Sequence, residues 1–208
     1  MMRSALQLES QLTLIQEVDF FDSSTWTCTI EELWGVPLFQ DDVEEMRWLK
    51  KLANFIRKSP EYATWSKQLK DHLGLSVCSF TKEDSREGGA TVDLHHHPLT
   101  LVDICTIVLD YLMEKYQGDR TRVNSFLIGE HVMRLHYEMK VGIVPLLKSL
   151  HEKYHNEPFP IPMEWVIGDW KVLLSPPYKV RKEIQEKVTL LTQHSLDNVD
   201  FKTVLWPR

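Results

Sequence analysis

The chain has 208 residues, 43% of them hydrophobic and 26% charged, a globular profile long enough to bury a core without disulfide staples. Its formal charge of −6 excludes a protein that coats nucleic acid by charge alone, which needs a dense Lys/Arg footprint. The longest apolar stretch, 141–147, is far below the ~20 residues that span a bilayer, and no basic-then-apolar leader precedes a small-residue cleavage site. Three widely spaced cysteines (Cys28, Cys78, Cys105) fit neither a disulfide framework nor a CxxC metal site. The expectation is an intracellular, cytoplasmic protein with no membrane partner.

In chain order, Leu6 to Val18 reads as a short amphipathic helix and 19–39 as irregular structure with aromatic anchors. From Asp41 to Lys58, Val43, Met46, Trp48, Leu49, Leu52, Phe55 and Ile56 recur at threes and fours, which predicts a helix. Ser59-Pro60 supplies an N-cap and a first-turn proline, and Gly74 a stop, so Pro60 to Leu73 forms a second, antiparallel helix. Leu75 to Phe80 alternates and predicts a strand; a charged loop, 82–89, joins it to a second strand, Ala90 to His96. Proline 98 opens a helix through about Tyr116, and another covers about Val123 to Met139, weakened at Gly129. Gly142 breaks the chain, and Pro145 starts a helix running to about His155. Five prolines between 158 and 177 exclude a long helix there. Gly168-Asp169 predicts a hairpin turn between 165–167 and 170–174. Tyr178 to Gln193 reads as a C-terminal helix burying Val180, Ile184, Val188 and Leu191.

Nine histidines are many for this length, and two clusters of them carry chemistry. One is Asp93-Leu94-His95-His96-His97-Pro98 at a strand end. The other is His151 and His155 on a predicted helix, where residues four apart lie on one face about 5–6 Å apart. Two such imidazoles can share one ion at nitrogen distances of about 2.0–2.1 Å. Neighbours on a strand face opposite sides, so only one of His95 and His96 points at that ion. Asp93 alternates to the face of His95 and is either a hydrogen-bond acceptor for a ligand imidazole or an ordinary exposed strand residue.

This order of a strand ending in Leu-His-His, then Val-Pro-Leu, then His-x-x-x-His resembles the ββα-metal fold of the HNH endonucleases, most closely that of the nuclease colicins. Its surroundings resemble HNH-type proteins of large tailed bacteriophages. The likeness covers 75–97 and 142–156, about a fifth of the chain. It implies an α+β, mainly helical protein: a helical region (1–74), a ββα-metal core (75–156) with a helical insert (98–141) packed on its outside, and a C-terminal hairpin and helix (157–208). It also implies His95, His151 and His155 as ligands of one divalent ion (Zn, Mg, Mn or Ni), His96 as general base, and DNA phosphodiester bonds as substrate. Three neutral nitrogens leave an open position on the ion, the pattern of a catalytic site.

Departures from the pattern favour a second reading. Gly142 stands where the family has the asparagine that orients the base, and Leu147 and Leu150 stand where cysteine pairs often reinforce such folds. The two expectations are therefore a phage-encoded, metal-dependent DNA endonuclease in host cytoplasm, or an inactive relative serving as a regulatory, host-takeover or virion-associated binding module with a host or phage protein partner. His131 and His136 are core or surface histidines that could also replace the missing orienter, while His97 reads as a neighbour of a helix start. His72 and His194 read as structural, and the seven tryptophans as core and clamp residues. Lys50-Lys51, Arg57-Lys58, Arg120 with Arg122, and 179–182 are candidates for a DNA-facing stripe, or simply solvated charge.

Overall fold

In the computed structural model, which describes residues 35–157 and 159–196, the chain enters helix α1 (Asp42–Lys58) at Asp41. The Asp41 carboxylate accepts from the Glu44 N–H at 2.8 Å, satisfying one of the open donors of the first turn. Trp48, Leu49, Leu52, Ala53 and Ile56 are buried, while Val43 and Met46, part of the same apolar periodicity, stay exposed. Ser59 then accepts from the Tyr62 N–H at 3.1 Å and starts α2 (Pro60–His72), which packs on α1. The helix expected at 6–18 lies outside the described residues.

The strand expected at 75–80 does not form. That segment is a run of turns with a single bridge, Val77 to Asp84, followed by one helical turn, α3 (Ser85–Gly88), capped by Asp84. Six alternating residues make a strand only where a partner runs beside them. Here β1 (Val92–His96) pairs antiparallel with β2 (Ile143–Leu147), about 50 residues on, in a register that sets His95 opposite Val144 and His96 opposite Ile143.

Pro145 therefore lies in a strand and starts no helix. The N–H and C=O of Ile143 both turn away from β1 to Ile167, at 2.9 Å each, and the Leu147 N–H turns away to Cys78 Sγ. Pro145 shares that orientation, its carbonyl accepting from the Ser79 N–H at 2.9 Å. A proline here costs no bond of the β1–β2 ladder. Helix α6 begins only at Lys148 and runs to Asn156.

Between the strands stand α4 (Leu101–Lys115) and α5 (Ser125–Tyr137). Helix α4 starts three residues after Pro98, because Thr100 and Asp103 form a reciprocal capping box. Far from packing outside the strand pair, these helices make the main core. α4 buries Leu101, Ile104, Cys105, Thr106, Ile107, Val108, Leu109 and Leu112, apolar on nearly every side as a central helix must be. It packs against α1 and α5, and α7 (Lys182–Leu196) adds Ile184 and Val188. Arg181, just before α7, grips Glu45 of α1 and Asp110 of α4 with four hydrogen bonds of 2.7–2.8 Å.

The hairpin expected around Gly168 is replaced by two 3-10 turns, Met163–Trp165 and Trp170–Leu174. Gly168 has φ +107, and a Cβ there would meet the Val141 carbonyl oxygen at 2.0 Å. A Cβ on Gly142 would meet the His97 carbonyl oxygen at 2.0 Å, so close backbone approach accounts for the glycine at this position. A second apolar cluster, Val144, Leu146, Phe159 and Ile161, underlies α6 on the far side of the sheet from the main core.

Candidate metal centre

Strand alternation sorts the histidines of β1. Leu94 and His96 face the helical core, and Asp93 and His95 face α6. Helix α6 is short, has no side-chain N-cap and buries none of its residues completely. Leu150 and Tyr154, one turn apart, lie on the second apolar cluster. His151 and His155, one residue further round, meet His95.

The three imidazoles converge. His95 is 4% exposed, and its ring centroid lies 5.0 Å from that of His151 and 5.6 Å from that of His155. One nitrogen from each ring lies within 4.8 Å of the others. His151 Nε2 and His155 Nε2 are 3.0 Å apart, and His151 Nδ1 faces Asp93 Oδ2 at 3.2 Å. The carboxylate accepts from Nδ1–H, which leaves the His151 Nε2 lone pair aimed at the centre of the group. Burial, with help from the neighbouring imidazoles, pushes the pKa of His95 down to about 2, and burial also lowers that of His155. Neutral imidazole nitrogens are the form that binds a cation.

His96 points the other way. It is buried under Tyr62, and its Nε2 lies 2.9 Å from His136 Nε2. His136 Nδ1 donates to the Val132 carbonyl at 2.7 Å, so its Nε2 is the acceptor and the proton between the rings sits on His96. Burial holds His96 well below the usual histidine range and takes His136 down to about 4. His136 thus meets His96, on the side of the sheet away from the three converging rings. His131 belongs to another network, where Arg134 donates to its Nδ1 and its Nε2 bonds the Tyr178 hydroxyl at 2.8 Å. His97 continues the β1 pairing, its N–H donating to the Gly142 carbonyl at 3.0 Å. Its ring is buried, and its Nε2 has no hydrogen-bond partner among the described residues. His72 is exposed, and the His194 side chain lies outside the described residues.

Several cations of the supposed DNA stripe are engaged within the molecule: Arg181 as above, Lys179 by Glu114, Lys182 by Glu186, and Arg120 by the Pro37 carbonyl. Trp48, Trp65 and Trp170 are buried in the core, while Trp26, Trp34 and Trp206 lie outside the described residues. No helix among the described residues is long and apolar enough to cross a membrane.

The class these features define is a mainly helical α+β protein with a histidine cluster where one short helix meets a two-stranded sheet. The family is shown by comparison: the model of the Bacteriophage G278-like virion proteins matches residues 9–203, and the chain belongs to that family. Comparison with curated proteins and with solved structures gave no match. The family corrects the HNH endonuclease resemblance and the nuclease function drawn from it, since the match is to virion proteins and no HNH family matches. The resemblance rested on two short motifs totalling about a fifth of the chain, whereas the virion family spans nearly all of it.

Proposed function

We propose that this protein is a structural component of the phage particle, and that one divalent cation held by His95, His151 and His155 fastens α6 to the β1–β2 sheet. The observation that carries the virion role is the family match across 9–203; the convergence of three imidazole nitrogens supports the metal. With the ion bound, β1, β2 and α6 would act as one ββα-metal unit on the flank of the helical core. The donor set favours zinc or nickel over magnesium, because imidazole suits the former while magnesium prefers oxygen ligands. Asp93 serves as the carboxylate behind His151, fixing the tautomer that presents Nε2.

Two measurements test this reading. Mass spectrometry of purified particles is expected to find the chain at a fixed copy number, and its absence from intact particles would reject the virion role. Elemental analysis of the purified full chain is expected to find one zinc or nickel per molecule, lost in a His95→Ala, His151→Ala double variant. A metal content near zero, with no uptake from added zinc, would reject the cation.

A further inference from the structure

A three-histidine site leaves its ion incomplete, because a four-coordinate cation of this kind needs one more donor. Among the described residues no fourth His, Cys, Asp or Glu joins the group, and the Asp93 carboxylate is engaged with His151 Nδ1. Beside the cluster lies a second incomplete group. The His97 ring is 2% exposed and its Nε2 has no partner among the described residues, although a buried polar atom without a bond is costly. His97 and His95 are two residues apart in extended chain and share one face. Their ring centroids are 6.2 Å apart, and Tyr154 borders both, at 4.5 Å from His95 and 6.3 Å from His97.

His97 stands outside the group whose nitrogens all lie within 4.8 Å of one another, so it is no fourth ligand. One atom placed between the ion and His97 answers both deficits. A ligand oxygen on a cation can at the same time hydrogen-bond a neighbouring ring nitrogen at about 2.8 Å. Charge narrows its identity: three neutral imidazoles leave a divalent ion uncompensated except by Asp93, so an anionic oxygen is the complementary ligand.

Building on the metal reading above, we infer that the ion's fourth position holds an exchangeable oxygen ligand, water at rest and a carboxylate when one is supplied, hydrogen-bonded to His97 Nε2. His97 is then a positioning residue for that ligand. A carboxylate can come from a small organic acid or from an Asp or Glu side chain of a neighbouring protein, and both present the same oxygen.

The test uses the full chain loaded with cobalt(II), whose visible absorption responds to a change of ligand, and acetate as the probe. Acetate is expected to shift the spectrum saturably in the wild type. His97→Ala is expected to weaken acetate binding roughly tenfold to a hundredfold while the cobalt content stays at one per chain. His97→Gln, which keeps an N–H within reach, is expected to recover part of the loss and guards against a folding defect of the alanine variant. A peptide with one glutamate, titrated in the same way, separates the sources: tighter binding than acetate assigns the position to a neighbouring protein, equal binding to small acids. Cobalt bound at one equivalent with no response to acetate, or with the same affinity in both His97 variants, overturns the inference and leaves the metal site standing. Failure to bind cobalt at all is seen in the metal analysis and overturns both.

Discussion

Helices α4 and α6 show two ways of holding a helix in one molecule. Helix α4 has fifteen residues, a reciprocal capping box and eight buried side chains, and burial of that apolar surface at about 25 cal/mol per Å² holds it in place. Helix α6 has nine residues, no side-chain N-cap and no fully buried residue. A helix that short is marginal alone; Leu150 and Tyr154 rest on the second apolar cluster, and polar contacts between His151, His155, His95 and Asp93 supply the rest. The core helix relies on area, which needs no cofactor and no special pH. The flanking helix relies on a few directional groups, which under the proposed reading answer to a bound metal.

The largest expected effect comes from the side of the comparison built on area. Ile104→Ala in α4 should cost about 2–5 kcal/mol of global stability, read by urea denaturation, with no change in metal affinity. An equal loss of metal would mean that the two regions are not separable. Withdrawal of metal should do the reverse. If the ion is present at 100 times its dissociation constant, chelation removes about 2.7 kcal/mol. Hydrogen exchange should then rise in 148–156 and stay slow in 101–115; uniform acceleration would count against a local fastening.

Acid tests the buried histidines. His136 has its pKa lowered to about 4, so the unfolded chain binds the proton more readily than the folded one. Stability is complete above the unfolded value of about 6.5 and falls as pH drops from there toward 4. At pH 5 the loss from His136 is about 2 kcal/mol. His131, also lowered to about 4, acts in the same direction, and its Tyr178 partner makes the 178–182 segment the place to look. Melting temperature measured between pH 7.5 and 5 should fall steadily, and His136→Phe should flatten the slope. The smallest effect is expected from Asp93→Asn, which should lower metal affinity about tenfold while leaving the unfolding free energy of the metal-free protein within about 0.5 kcal/mol of wild type.

The first two helices were legible because their signals are local. Apolar spacing at threes and fours, Ser59 as a cap and Pro60 in the first turn act within a few residues of each other, and the structure follows them closely. His151 and His155 could be paired from spacing alone for the same reason. The strand errors share a different cause. Leu75 to Phe80 alternates like a strand but makes only a single bridge and no ladder among the described residues, while Ile143 to Leu147 contains a proline and yet pairs, because the backbone of residue 145 faces away from β1. Nothing within six residues of either segment decides that.

Local rules in the sequence thus determined the helices, their caps and the face shared by two of the histidines. Tertiary structure alone decided which strand accompanies β1, that His96 pairs with His136 across the core, that His97 keeps a nitrogen unpartnered among the described residues, and that Gly142 makes room for a backbone carbonyl. These depend on segments roughly 40–60 residues apart meeting in one register, and that meeting is set by burial of the whole apolar core.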